Sequence, residues 1–180
     1  KQSVINDTKE FVESQSKKSP EQKSAENEAI GNVLTNFPLN GGGKKDYLYG
    51  YNRYGRAYID KKEYMRSLKK LNKAYQINRT HVSTLNNLGL VYEEIADHKM
   101  ARKYFFDALS LAKQLNYNDQ IIYSQNNIGI TYLKEGNNII ARTYFEKSLK
   151  LAEEIGADAV LVVTPYYNKP NTRLKIKTPI

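Results

Sequence analysis

Five asparagines recur in register along this 180-residue chain and are its best candidates for binding chemistry. Asn52, Asn86 and Asn126 each lie three residues before a glycine, and Asn87 and Asn127 follow two of them directly. An asparagine amide offers both a donor and an acceptor, so it can pair with the N–H and C=O groups of an extended peptide. The same amides could instead bridge adjacent helices or cap local backbone groups. We favour peptide binding, because asparagine is a mediocre helix former and five of them ask for a compensating role.

Residues that could support catalysis or metal binding are sparse. The chain has no cysteine, and neither of its two histidines, His81 and His98, has a carboxylate or another histidine at a ligand-like helical spacing that repeats. We expect both to be surface residues near helix ends. The acidic residues Glu93, Glu94 and Asp97 lack a second pair of oxygen ligands that would complete a metal site. The sequence therefore predicts a protein that is not an enzyme and that holds neither a metal nor a cofactor.

The elements that position the asparagines form a repeat framed by Gly55, Gly89 and Gly129. Around each glycine the same order of apolar, aromatic, small and large side chains returns. Small residues let two helices approach closely, and large ones fill the groove between them. The repeated positions hold Tyr54, Leu88 and Ile128 before the glycine, Tyr58, Tyr92 and Tyr132 at plus three, Ser67, Ala101 and Ala141 at plus twelve, Leu71, Phe105 and Phe145 at plus sixteen, and Ala74, Ala108 and Ser148 at plus nineteen.

This order resembles the tetratricopeptide repeat (TPR), a unit of about 34 residues built as helix, turn, helix. Gly89 follows Gly55 by 34 residues and Gly129 follows Gly89 by 40, so the second unit has a longer second helix and loop around 113–120. The tryptophan and the terminal proline common in the family are absent. The resemblance implies an all-α solenoid of helical hairpins with about three repeats, at 48–81, 82–121 and 122–155 within an array at 46–155.

In the TPR family the first helix of each unit lines a concave groove. Carried onto this chain, the groove residues are Tyr49, Asn52, Arg53, Arg56, Asn86, Asn87, Leu90, Glu93, Tyr123, Asn126, Asn127 and Ile130. The row of asparagines is similar to the ladders of peptide-binding repeat proteins such as kinesin light chains and bacterial peptide-pheromone receptors. A carboxylate clamp of the chaperone co-factor type is disfavoured, because only Asn87 matches its pattern. The resemblance implies an interaction scaffold that binds an extended segment of a protein or peptide.

The first 45 residues are polar and contain one well-signalled helix. Ser19 is a predicted N-cap, Pro20 the first helical residue and Gln22 the capping-box partner, while Pro38 ends the helix. A weaker helix is expected at about 3–16, and a flexible glycine-rich joint at 40–43. We expect this segment to form a helical cap on the array. The apolar stripe of the main helix consists of Ala25, Ala29, Ile30, Val33 and Leu34.

Residues 156–180 break the repeat pattern. Gly156 is a plausible helix C-cap, and 156–170 resembles a strand and loop of the dihydrodipicolinate synthase and pyruvate-aldolase family. In that family the second tyrosine of the Thr-Pro-Tyr-Tyr-Asn stretch serves a proton relay, which would correspond to Tyr167. The lysine strand and the other loops of the barrel have no counterpart here. We interpret the tail as an irregular or extended segment, and as a possible fusion or graft that makes the chain a chimera.

The net charge of +9 is concentrated at 46–85, where nine Lys and Arg face three Asp and Glu. We interpret this cluster as a solvated outer face and disfavour nucleic acid as a partner, and no apolar run is long enough to span a membrane. The compartment is open, with the cytoplasm favoured. The alternatives are a self-associating structural array, a sensory or regulatory TPR region of a larger bacterial protein and, least favoured, an aldolase-type fragment. A homo-oligomer would form through the tail or the uncovered last repeat, at Tyr144, Phe145, Leu149 and Leu151.

Overall fold

The structure is a computed structural model that describes residues 18–36 and 43–156. These ranges form seven α-helices and no strand: α1 (Pro20–Asn36), α2 (Lys44–Asp60), α3 (Tyr64–Ile77), α4 (Val82–Glu94), α5 (His98–Gln114), α6 (Asn118–Lys134) and α7 (Asn138–Glu154). The predicted all-α helical repeat fold is confirmed. The helix expected at 3–16, most of the glycine-rich joint and the tail with Tyr167 lie outside the described residues.

The chain divides into two compact units, unit 1 at 1–95 and unit 2 at 96–180. In unit 1, α1 packs on α2, and α2 packs on both α3 and α4. In unit 2, α6 packs on both α5 and α7. Each unit thus contains one complete helical hairpin and further helices that cover it.

Helix α1 begins where the sequence predicts, with a capping box. The Ser19 N–H donates to Gln22 Oε1 at 2.8 Å, and the Gln22 N–H donates back to Ser19 Oγ at 3.3 Å. These bonds satisfy backbone donors that the first turn of a helix leaves without intrahelical partners.

Three residues of the predicted apolar stripe of α1 do not pack against the rest of the fold. Val33 is 50% exposed, and Ala25 and Ala29 are exposed as well. The helix instead meets α2 through Ser24, whose hydroxyl donates to the Ala57 carbonyl at 3.1 Å, and through Gly31. A Cβ at Gly31 would lie 3.0 Å from the Tyr54 ring. Ser24 and Gly31 lie at this contact because small residues allow two helices to approach closely. The packing gained by this close approach is larger than the gain from burying the alanines of the stripe.

The hairpin of α2 and α3 is locked where the repeat pattern predicts close packing. A Cβ at Gly55 would lie 2.4 Å from Leu71 Cγ and Cδ2, so only glycine fits against this fully buried leucine. Ser67 is also fully buried, and its hydroxyl donates to the Gly55 carbonyl at 2.7 Å. The frame glycine and the residues at plus twelve and plus sixteen therefore form one contact.

The hairpin of α6 and α7 repeats this contact in unit 2. A Cβ at Gly129 would lie 2.6 Å from Phe145 Cε1. Phe145 is 6% exposed, so the expectation that it lies on an uncovered side of the last repeat is wrong. Leu149 and Leu151 are partly buried and pack against Ile122 and Ala152. The hairpin buries these side chains internally, because the residue at plus sixteen points at the frame glycine rather than outward.

The interval from Gly89 to Gly129 is longer than that from Gly55 to Gly89 because both α5 and α6 extend into the expected loop. Helix α5 has 17 residues against 14 in α3, as predicted, and α6 begins at Asn118 rather than at 122. The loop between them is therefore confined to 115–117 instead of the expected 113–120. Gly156 has φ +64°, which agrees with its predicted role in ending α7.

Candidate functional site

Asn52 in α2 forms a hydrogen-bonded cross-link to α4 within unit 1. Its side chain is 7% exposed, and Nδ2 donates to Thr84 Oγ1 at 2.7 Å and to the Leu48 carbonyl at 3.1 Å. Its Oδ1 accepts from Asn87 Nδ2 at 3.5 Å. Of the two roles that the sequence leaves open, this amide performs the bridging one.

His81 extends the same network at the N-terminus of α4. Its Nδ1 lies 2.8 Å from Thr84 Oγ1, and its ring stands edge-on to Tyr49 with centroids 5.7 Å apart. The residue is half-buried, so the expectation that it is a surface histidine is wrong. Tertiary packing of α2 against α4 covers the ring, which its position near a helix end does not reveal. His98 is partly exposed as the first residue of α5.

The burial of His81 predicts that unit 1 loses stability in mild acid. Burial lowers the pKa of His81 below its ordinary value of 6.5. As the pH falls through that value, the unfolded chain binds a proton that the folded chain does not, so the free energy of unfolding decreases. We expect the urea concentration at the midpoint of unfolding to decrease when the pH is lowered from about 8 to about 5, and the decrease should begin near pH 6.5.

The control for this pH effect is His81→Gln, which keeps a polar side chain but cannot titrate. The variant retains His98 and every carboxylate, so the difference between the two pH profiles isolates His81. Its urea midpoint should depend less on pH than that of the parent. Parallel profiles would show that His81 does not titrate differently in the folded and unfolded states.

The asparagines of unit 2 are also buried. Asn126 is 8% exposed, and its Oδ1 accepts from the Ser148 hydroxyl at 2.7 Å, which links α6 to α7. Asn127 is 8% exposed, and its Nδ2 has no acceptor among the residues that the structure describes. Asn127 thus has a donor that forms no hydrogen bond in this part of the structure. Leaving such a buried donor without a partner costs about 1–3 kcal/mol. Gln125 Oε1 is likewise a buried acceptor without a donor among the described residues.

The expected groove residues differ widely in accessibility. Tyr49 and Tyr123 are 44% and 37% exposed, and they occupy the same repeat position, six residues before Gly55 and Gly129. Arg53 is exposed and donates to Asn27 Oδ1 at 2.7 Å. The half-buried members are Arg56, Asn87, Leu90 and Ile130, and the buried members are Asn52, Asn86, Glu93, Asn126 and Asn127. The exposed part of the expected site is thus aromatic and cationic rather than amide.

A stripe of tyrosines on α2 was not identified as a site by sequence reasoning. Tyr47 and Tyr51 stack with centroids 6.5 Å apart, and Tyr54 and Tyr58 stack at 6.1 Å with a 10° interplanar angle. Their numbers differ by four, three and four, the spacing of one helix face, so the signal was present in the sequence. Lysines of α3 lie over these rings.

Within 18–36 and 43–156, no group of three or more His, Asp or Glu side chains is placed to hold a metal ion. In the same part of the chain, no helix has both the length and the apolar character that a bilayer span requires.

Comparison with known proteins agrees with this architecture. Residues 82–115 and 121–155 each match a family model described as tetratricopeptide repeat. The crystal structure of MamA is similar with a TM-score of 0.55 and 20% identity, covering 74% of this chain and 80% of that chain. The crystal structure of MamA protein is similar with a TM-score of 0.54 and 20% identity, covering 74% and 75%. A search of curated proteins found no match. The chain therefore has a TPR-like helical fold and carries tetratricopeptide repeats at 82–115 and 121–155.

Proposed function

We propose that the chain is a non-enzymatic interaction module that binds an extended segment of a partner protein. The binding surface is the first-helix face, which we define in unit 1 as the side of α2 and α4 and in unit 2 as the side of α6 that carries the expected groove residues. The single observation that supports this most strongly is the pair Tyr49 and Tyr123. Both are large, accessible aromatic side chains at the same repeat position in different units.

Aromatic side chains at such positions are effective anchors for a partner. Tyrosine offers a large flat contact area and a hydroxyl while losing little conformational entropy, and aromatic residues are enriched among the hot spots of interfaces. Tyr49 is held by His81, and the network of Asn52 and Thr84 fixes His81 in turn. The buried Asn52 amide therefore serves the surface by preorganising its aromatic anchor Tyr49.

Asn87 is the amide best suited to contact the partner directly. It is half-buried, so its side chain is in part accessible, and its amide can pair with a main-chain group of the bound segment. Asn127 Nδ2 has no acceptor among the described residues, but this atom is buried and out of reach of a segment bound at the surface. The asparagine ladder of the proposal is thus reduced to Asn87, while Asn52 and Asn126 hold helices together.

The proposal predicts that removing the tyrosine anchors weakens binding of an extended peptide. A random peptide library selected on the parent supplies the probe, whose Kd is then measured by fluorescence anisotropy with Tyr49→Ala and Tyr123→Ala. We expect Tyr49→Ala to weaken about tenfold a peptide that binds unit 1, and Tyr123→Ala to weaken about tenfold a peptide that binds unit 2, because truncating a hot-spot aromatic costs more than 1 kcal/mol. Thermal stability should change little, since both side chains are substantially exposed.

The matched control is Tyr117→Ala, which removes a 53% exposed tyrosine from the turn before α6. It should leave the Kd unchanged. An equal loss in this control, or selection of no peptide at all, would contradict binding at the first-helix face.

Self-association is the competing function, and an exposed isoleucine favours it. Ile139 at the start of α7 is 83% exposed, and the neighbouring Ile140 is 36% exposed. If this surface joins two copies, the sedimentation coefficient increases with concentration and Ile139→Ser abolishes the increase. A size that is independent of concentration, together with peptide binding, would instead favour the interaction module.

A further inference from the structure

A groove rich in cations lies on unit 1, apart from the first-helix face. Arg66, Lys69, Lys70 and Lys73 of α3 line a surface cavity of about 380 Å³ together with Tyr58. A second cavity, of about 430 Å³, is lined by Lys44, Tyr51, Lys73, Gln76 and Ile77. Lys73 lines both, so the two cavities are neighbours on α3, and we call them together the cationic groove. No carboxylate is among the residues that line either cavity.

The tyrosine stripe of α2 holds the cations of the groove in place. Lys70 Nζ lies 4.3 Å from the centroid of the Tyr54 ring, and Lys73 Nζ lies 5.4 Å from that of Tyr51. Arg66 Cζ lies 5.8 Å from the centroid of Tyr58. Cation–π attraction restricts the long side chains to the surface of α2. The charges are therefore preorganised, and an incoming anion would lose less conformational entropy in ordering them.

The positive charge of the groove is largely uncompensated. Arg66 pairs with Glu63 at 2.7 Å, whereas Lys69, Lys70 and Lys73 have no carboxylate partner among the described residues. Burial lowers the pKa of Lys70, and the nearby Lys73 and Lys69 lower it further. An anion bound between these lysines would offset their mutual repulsion and stabilise the charge of the partly buried Lys70.

The geometry favours a compact phosphoryl group over a nucleic-acid strand. Single-stranded nucleic acids bind along basic grooves by stacking bases on free aromatic faces, but here lysines lie over the rings of Tyr51 and Tyr54. From Arg66 to Lys73 the helix advances only about 10 Å, which suits one phosphoryl group and an adjacent carboxylate better than several nucleotides. Lysine binds phosphate as a point charge and does not require the planar geometry of arginine.

We propose that the cationic groove binds a phosphorylated serine or threonine within an acidic segment of a partner protein. The phosphoryl dianion lies between Lys69, Lys70 and Lys73, and neighbouring carboxylates of the segment reach Arg66 or Lys44. This contact is separate from the first-helix face, so one partner could engage unit 1 at two places. Phosphorylation of the partner would then strengthen its binding.

The test uses the full chain and a fluorescent peptide that carries one phosphoserine flanked by glutamates, together with its unphosphorylated counterpart and an oligothymidine of similar charge. We expect the phosphopeptide to bind at least about tenfold more tightly than either of the other probes. Lys70→Gln combined with Lys73→Gln should weaken its binding by at least about tenfold. Added salt should weaken the binding in parallel, because the contact is electrostatic.

The matched control is Lys147→Gln combined with Lys150→Gln on α7. This pair has the same spacing, removes the same charge and includes a lysine whose Nζ lies 5.2 Å from the centroid of Tyr144. It should retain the parent affinity to within about twofold, as a test of net charge alone. Circular dichroism of both double variants establishes that each is folded.

Three outcomes would overturn the proposal: equal affinity for the two peptides, tighter binding of the oligothymidine, or equal losses in the groove and control variants. Tyr49→Ala separates this test from that of the first-helix face. The variant should bind the phosphopeptide as well as the parent does, so failure of one site leaves the other measurable.

Discussion

Replacement of Gly55 by alanine is expected to destabilise unit 1 by about 1–3 kcal/mol. In an ordinary helix interior the same change stabilises by roughly 0.5–1 kcal/mol, because alanine has less backbone entropy to lose. Here the new Cβ would lie 2.4 Å from Leu71 Cγ and Cδ2, and Leu71 is fully buried, so relieving the clash requires its neighbours in the core to shift. Overpacking therefore reverses the sign. Urea unfolding followed by far-UV circular dichroism measures the difference.

A double-mutant cycle with Leu71→Ala identifies the clash as the cause. Leu71→Ala alone should cost about 2–5 kcal/mol, because it leaves a cavity. In that background Gly55→Ala should be neutral or stabilising, since the cavity accepts the methyl group. Gly43→Ala is the control, because its Cβ would meet nothing within 4 Å, and it should change stability by less than about 1 kcal/mol. An equal cost of Gly55→Ala in both backgrounds would contradict this explanation.

Replacement of Asn52 by alanine is expected to destabilise unit 1 by about 2–3 kcal/mol. The change removes the Asn52 donor of the fully buried Thr84 hydroxyl, which keeps only His81 Nδ1 as a side-chain partner, and it removes the acceptor of the Asn87 amide. Buried polar groups that lose their partners carry the full cost of desolvation. Chemical denaturation again measures the effect, and the Asn52 variant should also release the ring of His81.

Thr84→Val tests whether the loss runs through the bond to Asn52. It removes the hydroxyl at nearly constant shape, and the cycle of the two changes should give a coupling of about 0.5–3 kcal/mol. The control is Asn72→Ala at an exposed position of α3, which should be neutral or slightly stabilising. If Asn52→Ala cost no more than Asn72→Ala, the cross-link between α2 and α4 would contribute nothing to stability.

Local spacing alone was sufficient to predict the repeat and its closest contacts. The frame glycines and the residues at plus twelve and plus sixteen predict a helical hairpin, and Gly55, Ser67 and Leu71 meet as that pattern requires. The capping box of Ser19 and Gln22 placed the start of α1 correctly. These features depend on residues within one helix or one hairpin, where 3.6 residues per turn determine which side chains can meet.

Tertiary structure decided which polar side chains remain accessible. The sequence placed the five asparagines in one repeated position and its neighbour, but it did not show that Asn52 would reach Thr84 or that Asn126 would accept from Ser148. It also did not show that His81 would be covered by Tyr49, because that contact joins two helices distant in the chain. An amide can pair equally well with a neighbouring helix or with a ligand. Its choice depends on the distance to the next helix, which sequence spacing within a helix does not specify.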